Sequence, residues 1–526
     1  MMETVKLPWQ SIGHLLRDTS GRVPDRTLLV FEGETISYGA ADARSNRIAN
    51  VLKGLGLAHG DRVAVMMPNG IDFPLIWLAL AKAGLVLVPV NTEYQQHDLQ
   101  YILTDSAAAA AIVHVDYLSR IDSIRSSLPA LRNLLVAGGA GESSFERAVD
   151  AASDRYTIYG VDEAALLNIQ YTSGTTGFPK GCMLTHRYWM LIAHYGKNAL
   201  QLRPDDVHFN AQPFYYMDGM WNLVLCMMAE ISLVLVRRFS VSAFWQVIVE
   251  NKVTFFYCLG TMPVMLMNRA PDEYERIHKV RAVSCSGIVP EMHAQFEARF
   301  GCPWREAYGT TESGTETMVP FADLACVGTG SLGLPLPSKE ARIVDPSGQT
   351  VKAGEIGEFT SRGEPIMLGY WNNPEATAET IRDGWFYSGD LGYMDEGGQF
   401  HIAGRTKDMV RRAGENISAA EVEGVLVAHD KVTLAAVIPV PDPVRGEEAK
   451  AYIVLKDGET RDTVPPQSIL DFAKSRLAAF KVPRYLEYVA SLPLTPSERV
   501  EKHKLVKSRI DQRTGSYDAT VREWLR

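Results

Sequence analysis

The sequence predicts an α/β protein: a large multi-sheet N-terminal domain with a β-rich subdomain, then a small α+β C-terminal domain. Three observations predict it. Over about its first four hundred residues the chain alternates amphipathic helical stretches with short β-branched runs, the pattern of largely parallel sheets covered by helices. After Gly330, glycines, prolines and short β runs take over. A further break at 404–408 precedes a separate helix–strand alternation, and 526 residues exceed what one core usually holds. The expected division is 1–404, with 331–404 as the β-rich part, and 405–526.

The elements follow in order. Residues 41–54 read as an amphipathic helix ending at a glycine. Residues 62–67 read as a strand halted by Pro68; a helix follows, then a strand at 85–88. Similar units recur near 109–115 and 134–136. A strand at 166–171 leads into a glycine-rich run, and 186–200 reads as a helix. Short strands are expected at 341–344 and 357–360. The C-terminal part carries helices at 419–428 and 469–479 and strands at 434–439 and 451–455.

Composition narrows the class. A hydrophobic content of 46% with 22% charged residues suits a soluble globular protein. A net charge of −9 without any long basic run excludes a nucleic-acid surface. The six cysteines are scattered without a C-x-x-C pair, which suits reduced thiols in a cytoplasmic enzyme. The N-terminus lacks a signal pattern. Apolar runs at 73–90 and 219–236 are interrupted by Lys82 and Pro89, and by Asn222, Glu230 and Ser232. Each reads as a buried helix plus a strand, so no transmembrane segment is expected.

The chemistry begins at Thr172-Ser173-Gly174-Thr175-Thr176-Gly177-Phe178-Pro179-Lys180-Gly181. Glycines let backbone N–H groups approach an anion, the hydroxyls add donors, and Lys180 adds a mobile cation. The order differs from the nucleotide P-loop, in which lysine follows the last glycine. A strand, this run and a helix in succession form a sensible phosphate site.

With its other motifs, the chain resembles the adenylate-forming superfamily of acyl-CoA synthetases, luciferase and peptide-synthetase adenylation domains, over nearly its whole length. The resemblance implies that the run 172–181 holds the β- and γ-phosphates of ATP while a carboxylate attacks the α-phosphate. Glu306-Ala307-Tyr308-Gly309-Thr310-Thr311-Glu312 matches the adenine and metal motif. It implies that Tyr308 stacks on adenine, Thr311 reaches the α-phosphate, and Glu312, with Thr172, holds Mg²⁺. Ser286-Gly287-Ile288 matches the loop between adenine and the acyl tunnel. Ile288 is larger than the usual residue there, and either reshapes the pocket or faces the core. Asp390, in Tyr387-Ser388-Gly389-Asp390, matches the ribose carboxylate, and Arg405 its neighbour. Asp408 falls where the family places the hinge of its swivelling C-terminal domain. Gly414 and Glu415 match a loop that lines the pantetheine channel, with Arg411, Arg412, Lys481 and Arg484 as candidates for CoA phosphates or as solvated charge.

Two departures matter. The family carries a Gly-Lys pair near the C-terminus; here Glu498 and Arg499 stand in register with it. Arg keeps the charge but is bulkier and planar. Arg499 does the lysine's work, Lys502 or Lys504 substitutes, or adenylation is weakened. At the pocket mouth, Tyr216 replaces an expected histidine in Pro213-Phe214-Tyr215-Tyr216-Met217-Asp218-Gly219-Met220-Trp221. Tyr215, Tyr216 and Trp221 with Asp218 could hold a quaternary ammonium by cation–π attraction, or form an aromatic core with a capping aspartate. This resembles the crotonobetaine/carnitine-CoA ligase branch. The expected function is an ATP-, Mg²⁺- and coenzyme A-dependent ligase of a small carboxylic acid, with Thr172, Lys180, Glu312 and Arg499 catalytic. A homodimer stays open as its assembly. Alternatives are an adenylation domain loading a carrier protein, a luciferase-like oxygenase, and a non-catalytic nucleotide-binding protein.

Overall fold

The computed structural model describes residues 4–172, 179–405, 409–412 and 415–525. A six-stranded sheet runs, in spatial order, Asn133–Ala137, Ala110–His114, Arg62–Met66, Val86–Pro89, Leu166–Thr172 and Lys180–Thr185. Every pairing is parallel except the last. A nine-stranded sheet has a parallel centre of Thr27–Phe31, Ser232–Leu235, Val207–Asn210, Phe255–Leu259, Ala282–Ser286 and Trp304–Thr310. Antiparallel strands close its edges at Glu34–Ser37 and at Gly314–Met318 with Leu334–Pro335.

Central strands such as Val86–Pro89 are buried throughout, as parallel strands covered on both faces must be. Helices lie between the two sheets. One continuous core passes from Val63, Val65 and Leu87 of the first sheet through Trp77, Trp189 and Leu223 to Leu29 and Leu233 of the second. The two long apolar runs resolve into helix and strand: Asp72–Ala83 then Val86–Pro89, and Met217–Ala229 then Ser232–Leu235. The first helix stops at Gly84, whose φ of +66 gives the left-handed cap that glycine adopts without strain. Among the described residues no helix is long and apolar enough to cross a membrane.

A third, antiparallel sheet is built from Lys339–Val344, Gly357–Gly363, Ile381–Arg382, Trp385–Met394 and Phe400–Arg405. A fourth, seven-stranded sheet extends from Glu415–Ser418 to Glu523–Trp524, with helices Ala419–Val427 and Pro466–Lys474 sharing its core. The helix expected at 469–479 begins earlier, because Pro466 suits a first helical turn, and ends before a separate turn at Ala479–Lys481.

One local expectation is corrected. A strand, Lys180–Thr185, stands between the glycine-rich run and the helix expected at 186–200, which is found at His186–Ala199. Leu166–Thr172 pairs antiparallel with Lys180–Thr185, placing Thr172 opposite Lys180. Gly181 belongs to the returning strand, where a Cβ would come within 2.5 Å of Ile169 Cγ2. Helix His186–Ala199 starts only beyond that strand, capped by Thr185, whose hydroxyl accepts from Tyr188 N–H at 3.1 Å. No helix N-terminus therefore follows the glycine-rich run directly. Thr172, Ser286 and Thr310 close the C-terminal ends of their strands. Ligands of open α/β sheets bind at such ends.

Candidate active site

The hairpin edge gathers the phosphate candidates. The Cys182 thiol, fully buried, forms side-chain hydrogen bonds with both Thr172 and Glu312; burial, then the Glu312 charge, pushes it well up. The Glu312 carboxylate accepts from Tyr370 Oη at 2.9 Å, and its carbonyl accepts from Met367 N–H at 2.7 Å. Lys180 Nζ lies 5.1 Å from the centre of the Tyr370 ring. Thr172, Lys180 and Glu312 are thus brought together. Thr311 lies beside them, its carbonyl accepting from Tyr188 Oη at 2.8 Å.

The adenine and ribose candidates lie along the next two strand ends. Gly287 has φ +109, a conformation that requires glycine. Glu306, 5% exposed, accepts from Gly287 N–H at 3.2 Å and Ile288 N–H at 2.5 Å. Burial pushes its carboxyl up to about 8 while these two donors pull it back. Glu306 therefore shapes the loop it faces. Ser286 Oγ donates to the Ala307 carbonyl at 2.5 Å and accepts from Tyr257 Oη at 3.0 Å. Ile288 sits in the core with Met262 and Met292, which favours its core-facing reading. At Gly309, a Cβ would come within 2.2 Å of the Gly314 carbonyl oxygen. Thr310 Oγ1 lies 2.9 Å from Ser313 Oγ and closes the turn that carries Glu312. Tyr308 donates its hydroxyl to Asp390 at 2.7 Å and packs its ring with Phe359 and Phe400. This pair joins the nine-stranded sheet to the 339–405 sheet, where Asp390 stands opposite Arg405.

The pocket candidates cluster at the start of helix Met217–Ala229. Tyr215 and Tyr216 rings lie 5.0 Å apart, and Trp221 meets Tyr257 edge-on at 5.4 Å. Asp218 is 8% exposed; burial raises its carboxyl, opposed by the Arg499 charge and a hydrogen bond with Trp221. At Gly219 a Cβ would strike the Phe214 ring at 2.5 Å. Arg499 arrives on a turn from the C-terminal sheet. Thr495 N–H donates to the Arg499 carbonyl at 2.7 Å, and Arg499 N–H donates to Thr495 Oγ1 at 3.0 Å. The neighbouring Glu498 carbonyl accepts from both N–H and hydroxyl of Thr261 at 2.9 Å. The Arg499 charge acts on Tyr216, Asp218 and Tyr257. Lys502 pairs with Glu423 at 2.7 Å and Lys504 with Glu501 at 2.5 Å.

Other candidates are placed elsewhere. Glu415 is exposed on a strand opposite Arg412. Arg412, Lys481 and Arg484 are held by Glu448, Glu421 and Asp518. Ser173, Gly174, Thr175, Thr176, Gly177, the hinge candidate Asp408, Gly414 and the Arg405 side chain lie outside the described residues. Tyr257, Gly260, Thr261 and Tyr370 are additions from the structure. Tyr370 sits in Gly369-Tyr370-Trp371 before an Asn-Asn-Pro helix start, and no spacing in the sequence links it to Glu312.

Comparison with known proteins shows the family. Residues 16–371 match the AMP-binding enzyme family and residues 421–499 its C-terminal domain. The chain is 31% identical to a crotonobetaine/carnitine-CoA ligase of Salmonella enteritidis, over 94% of this chain and 99% of that one. It is 31% identical to a long-chain-fatty-acid-CoA ligase of Bacillus subtilis, over 96% of both. Its fold superposes on an anthranilate CoA ligase solved with anthranoyl-AMP, at TM-score 0.89 and 28% identity, covering 95% of this chain and 98% of that one. ATP-bound MatB from Rhodopseudomonas palustris gives TM-score 0.85 and 29% identity, covering 94% and 98%.

Proposed function

The chain belongs to the AMP-binding enzymes, and on that premise we propose which acid it activates, which residues act and how its parts move. It is an adenylate-forming acid:CoA ligase. A carboxylate oxygen attacks the α-phosphorus of ATP, pyrophosphate leaves, and acyl-AMP forms. The CoA thiol then attacks the acyl carbon, the carbon–oxygen bond to AMP breaks, and the thiol proton goes to solvent. Adenylation is needed because a free carboxylate is a poor electrophile and AMP a good leaving group.

In our reading, Lys180 and the loop before it hold the departing pyrophosphate by preorganised charge and N–H donors. Glu312 and Thr172, both in contact with the Cys182 thiol, offer hard oxygens. Among the described residues no cluster of three or more His, Cys, Asp or Glu forms a metal cage of its own. That donor set suits Mg²⁺ shared with substrate phosphates. When bound there, Mg²⁺ supplies charge neutralisation on the phosphate oxygens. Tyr308, Asp390 and Arg405 hold the nucleoside, with Glu306 shaping the loop beside it. Residues 405–526 swivel about Asp408 between the half-reactions, carrying Gly414 and Glu415 to the pantetheine. Six buried free thiols accord with a cytoplasmic location.

The observation that carries the reading is the clamp of Thr261 on the Glu498 carbonyl at 2.9 Å, which seats Arg499 at the pocket. Lys502 and Lys504 already have carboxylate partners, which supports Arg499 as the adenylation cation. The acid we propose bears a cationic or amine group. Trp221 and Tyr257 offer aromatic faces beside the Asp218 carboxyl, where a ligand cation would add to the Arg499 charge in holding that carboxyl ionised. The test is a mass-spectrometric screen for CoA thioesters across betaine-type, aromatic amino, short and long fatty acids. D218N should lower kcat/KM for cationic acids about tenfold or more and spare neutral ones. A preference for neutral long chains, unaffected by D218N, would overturn the acid; absence of any thioester would overturn the ligase.

A further inference from the structure

We propose that Tyr370 is a positioning residue that ties the Lys180 cation to the Glu312 carboxylate, so that the phosphate grip and the metal ligand act as one unit. The inference rests on the roles proposed above for those two residues.

The argument starts from backbone connections. One short segment, 367–371, is bonded to both partners' elements. Met183 N–H donates to the Gly369 carbonyl at 2.9 Å, Leu368 N–H to the Met183 carbonyl at 2.9 Å, and Trp371 N–H to the Gly181 carbonyl at 2.7 Å. These bonds lay the segment antiparallel beside the strand that begins with Lys180. From the same segment, Met367 N–H donates to the Glu312 carbonyl at 2.7 Å. Tyr370 N–H donates to Thr377 Oγ1 at 2.9 Å, which anchors the segment to helix Pro374–Thr380. Gly369, at φ +136 and 2.7 Å from Thr377 Cγ2 for any added Cβ, lets the chain turn so that Tyr370 faces inward.

The side chain then makes two charged contacts with different atoms. Its hydroxyl donates to Glu312 Oε1 at 2.9 Å, and its ring face lies 5.1 Å from Lys180 Nζ. The hydroxyl fixes the rotation of the carboxylate and leaves Oε2 as the oxygen turned to other ligands. The ring gives the ammonium a resting place beside that carboxylate. Outer partners of metal-ligating carboxylates set both orientation and affinity. Tyr370 is 7% exposed, so solvent competes little for either contact.

Two variants separate the contacts. Y370F removes the hydroxyl and keeps the ring; Y370L removes both. Calorimetric titration of the full-length enzyme measures binding of AMP, of ATP without metal, and of ATP across a Mg²⁺ series. For Y370F we expect the half-saturating Mg²⁺ to rise about tenfold, with AMP and metal-free ATP binding as in the wild type. Y370L should in addition weaken metal-free ATP about threefold relative to AMP. In steady state, the Y370F defect should shrink as Mg²⁺ is raised. A Y370F enzyme with wild-type Mg²⁺ dependence overturns the inference, as does equal loss of AMP and ATP, the mark of a merely structural tyrosine. E312Q serves as the reference. If E312Q shifts the Mg²⁺ dependence and Y370F does not, only this inference falls. If E312Q leaves it unchanged, the site roles proposed above fall with it.

Discussion

In the function proposed above, the first half-reaction turns on Arg499. Its backbone is fixed by the Thr495 turn, and its charge reaches three pocket side chains across a junction between distant parts of the chain. R499A should therefore lower acyl-AMP formation about a hundredfold or more, the usual loss when a preorganised charge is removed from a developing oxyanion. R499K should recover part of it, and K502A and K504A should stay near wild type. Pyrophosphate exchange with ATP measures all four; wild-type exchange in R499A would overturn the assignment. Arg499 is legible in the sequence because it stands in register with a known motif. The register is supported by its neighbour: Glu498 sits at φ +60, the left-handed region where a glycine is at ease. Tyr257 and Tyr370 are not legible in the same way. Each owes its place to a partner on another strand or segment, Ser286 for one and Glu312 for the other. Nothing in local composition encodes such a pairing.

At the scale of elements, the seating of the 495–499 turn depends on one close approach. Gly260 has φ +62, and a Cβ there would lie 2.5 Å from the Glu498 carbonyl oxygen. G260A should push the turn off Thr261 and withdraw Arg499. The expected outcome is a loss of adenylation of about tenfold or more, at about 1.4 kcal/mol for each factor of ten. Conversion of supplied acyl-AMP and CoA to thioester should fall much less, because the swivel proposed above would part this contact before the thioester step. Equal loss in both half-reactions would overturn the idea. Element type was largely legible along 1–404, since burial on both faces makes strands such as Val86–Pro89 continuous apolar runs. The 166–185 hairpin was not. Pro179-Lys180-Gly181 carries strong turn signals, yet Lys180 and Gly181 open the returning strand because Ile169 and Tyr171 occupy the space a side chain on Gly181 would need. Tertiary contact decides there over local preference.

For the whole molecule, burial of ionisable groups sets how stability follows pH. His186 and His208 are fully buried, which lowers their imidazoles to about 3 and about 4. The unfolded chain takes up these protons first, near the ordinary value of about 6.5. Each histidine therefore costs stability as pH falls from there toward its folded value, at a limiting slope of about 1.4 kcal/mol per pH unit. Glu306 acts in the opposite sense. Its folded value, raised to about 8, makes the unfolded chain ionise first, so stability declines as pH rises from about 4.5 toward 8. Between about 4.5 and 6.5 the two histidines outweigh the one carboxyl, and above 6.5 only the carboxyl is left. These three groups together place a maximum near pH 6.5. Urea unfolding midpoints measured from pH 4.5 to 8 in wild type, E306Q and H208N isolate each contribution by difference. E306Q should flatten the decline above pH 6.5, and H208N should flatten the loss below it, each beside a pH-independent offset from altered packing. Parallel curves for all three proteins would show that these groups do not link folding to protons. The same Glu306 shapes the Gly287–Ile288 loop at 3.2 and 2.5 Å, so the alkaline decline and the integrity of the nucleotide pocket should be lost together.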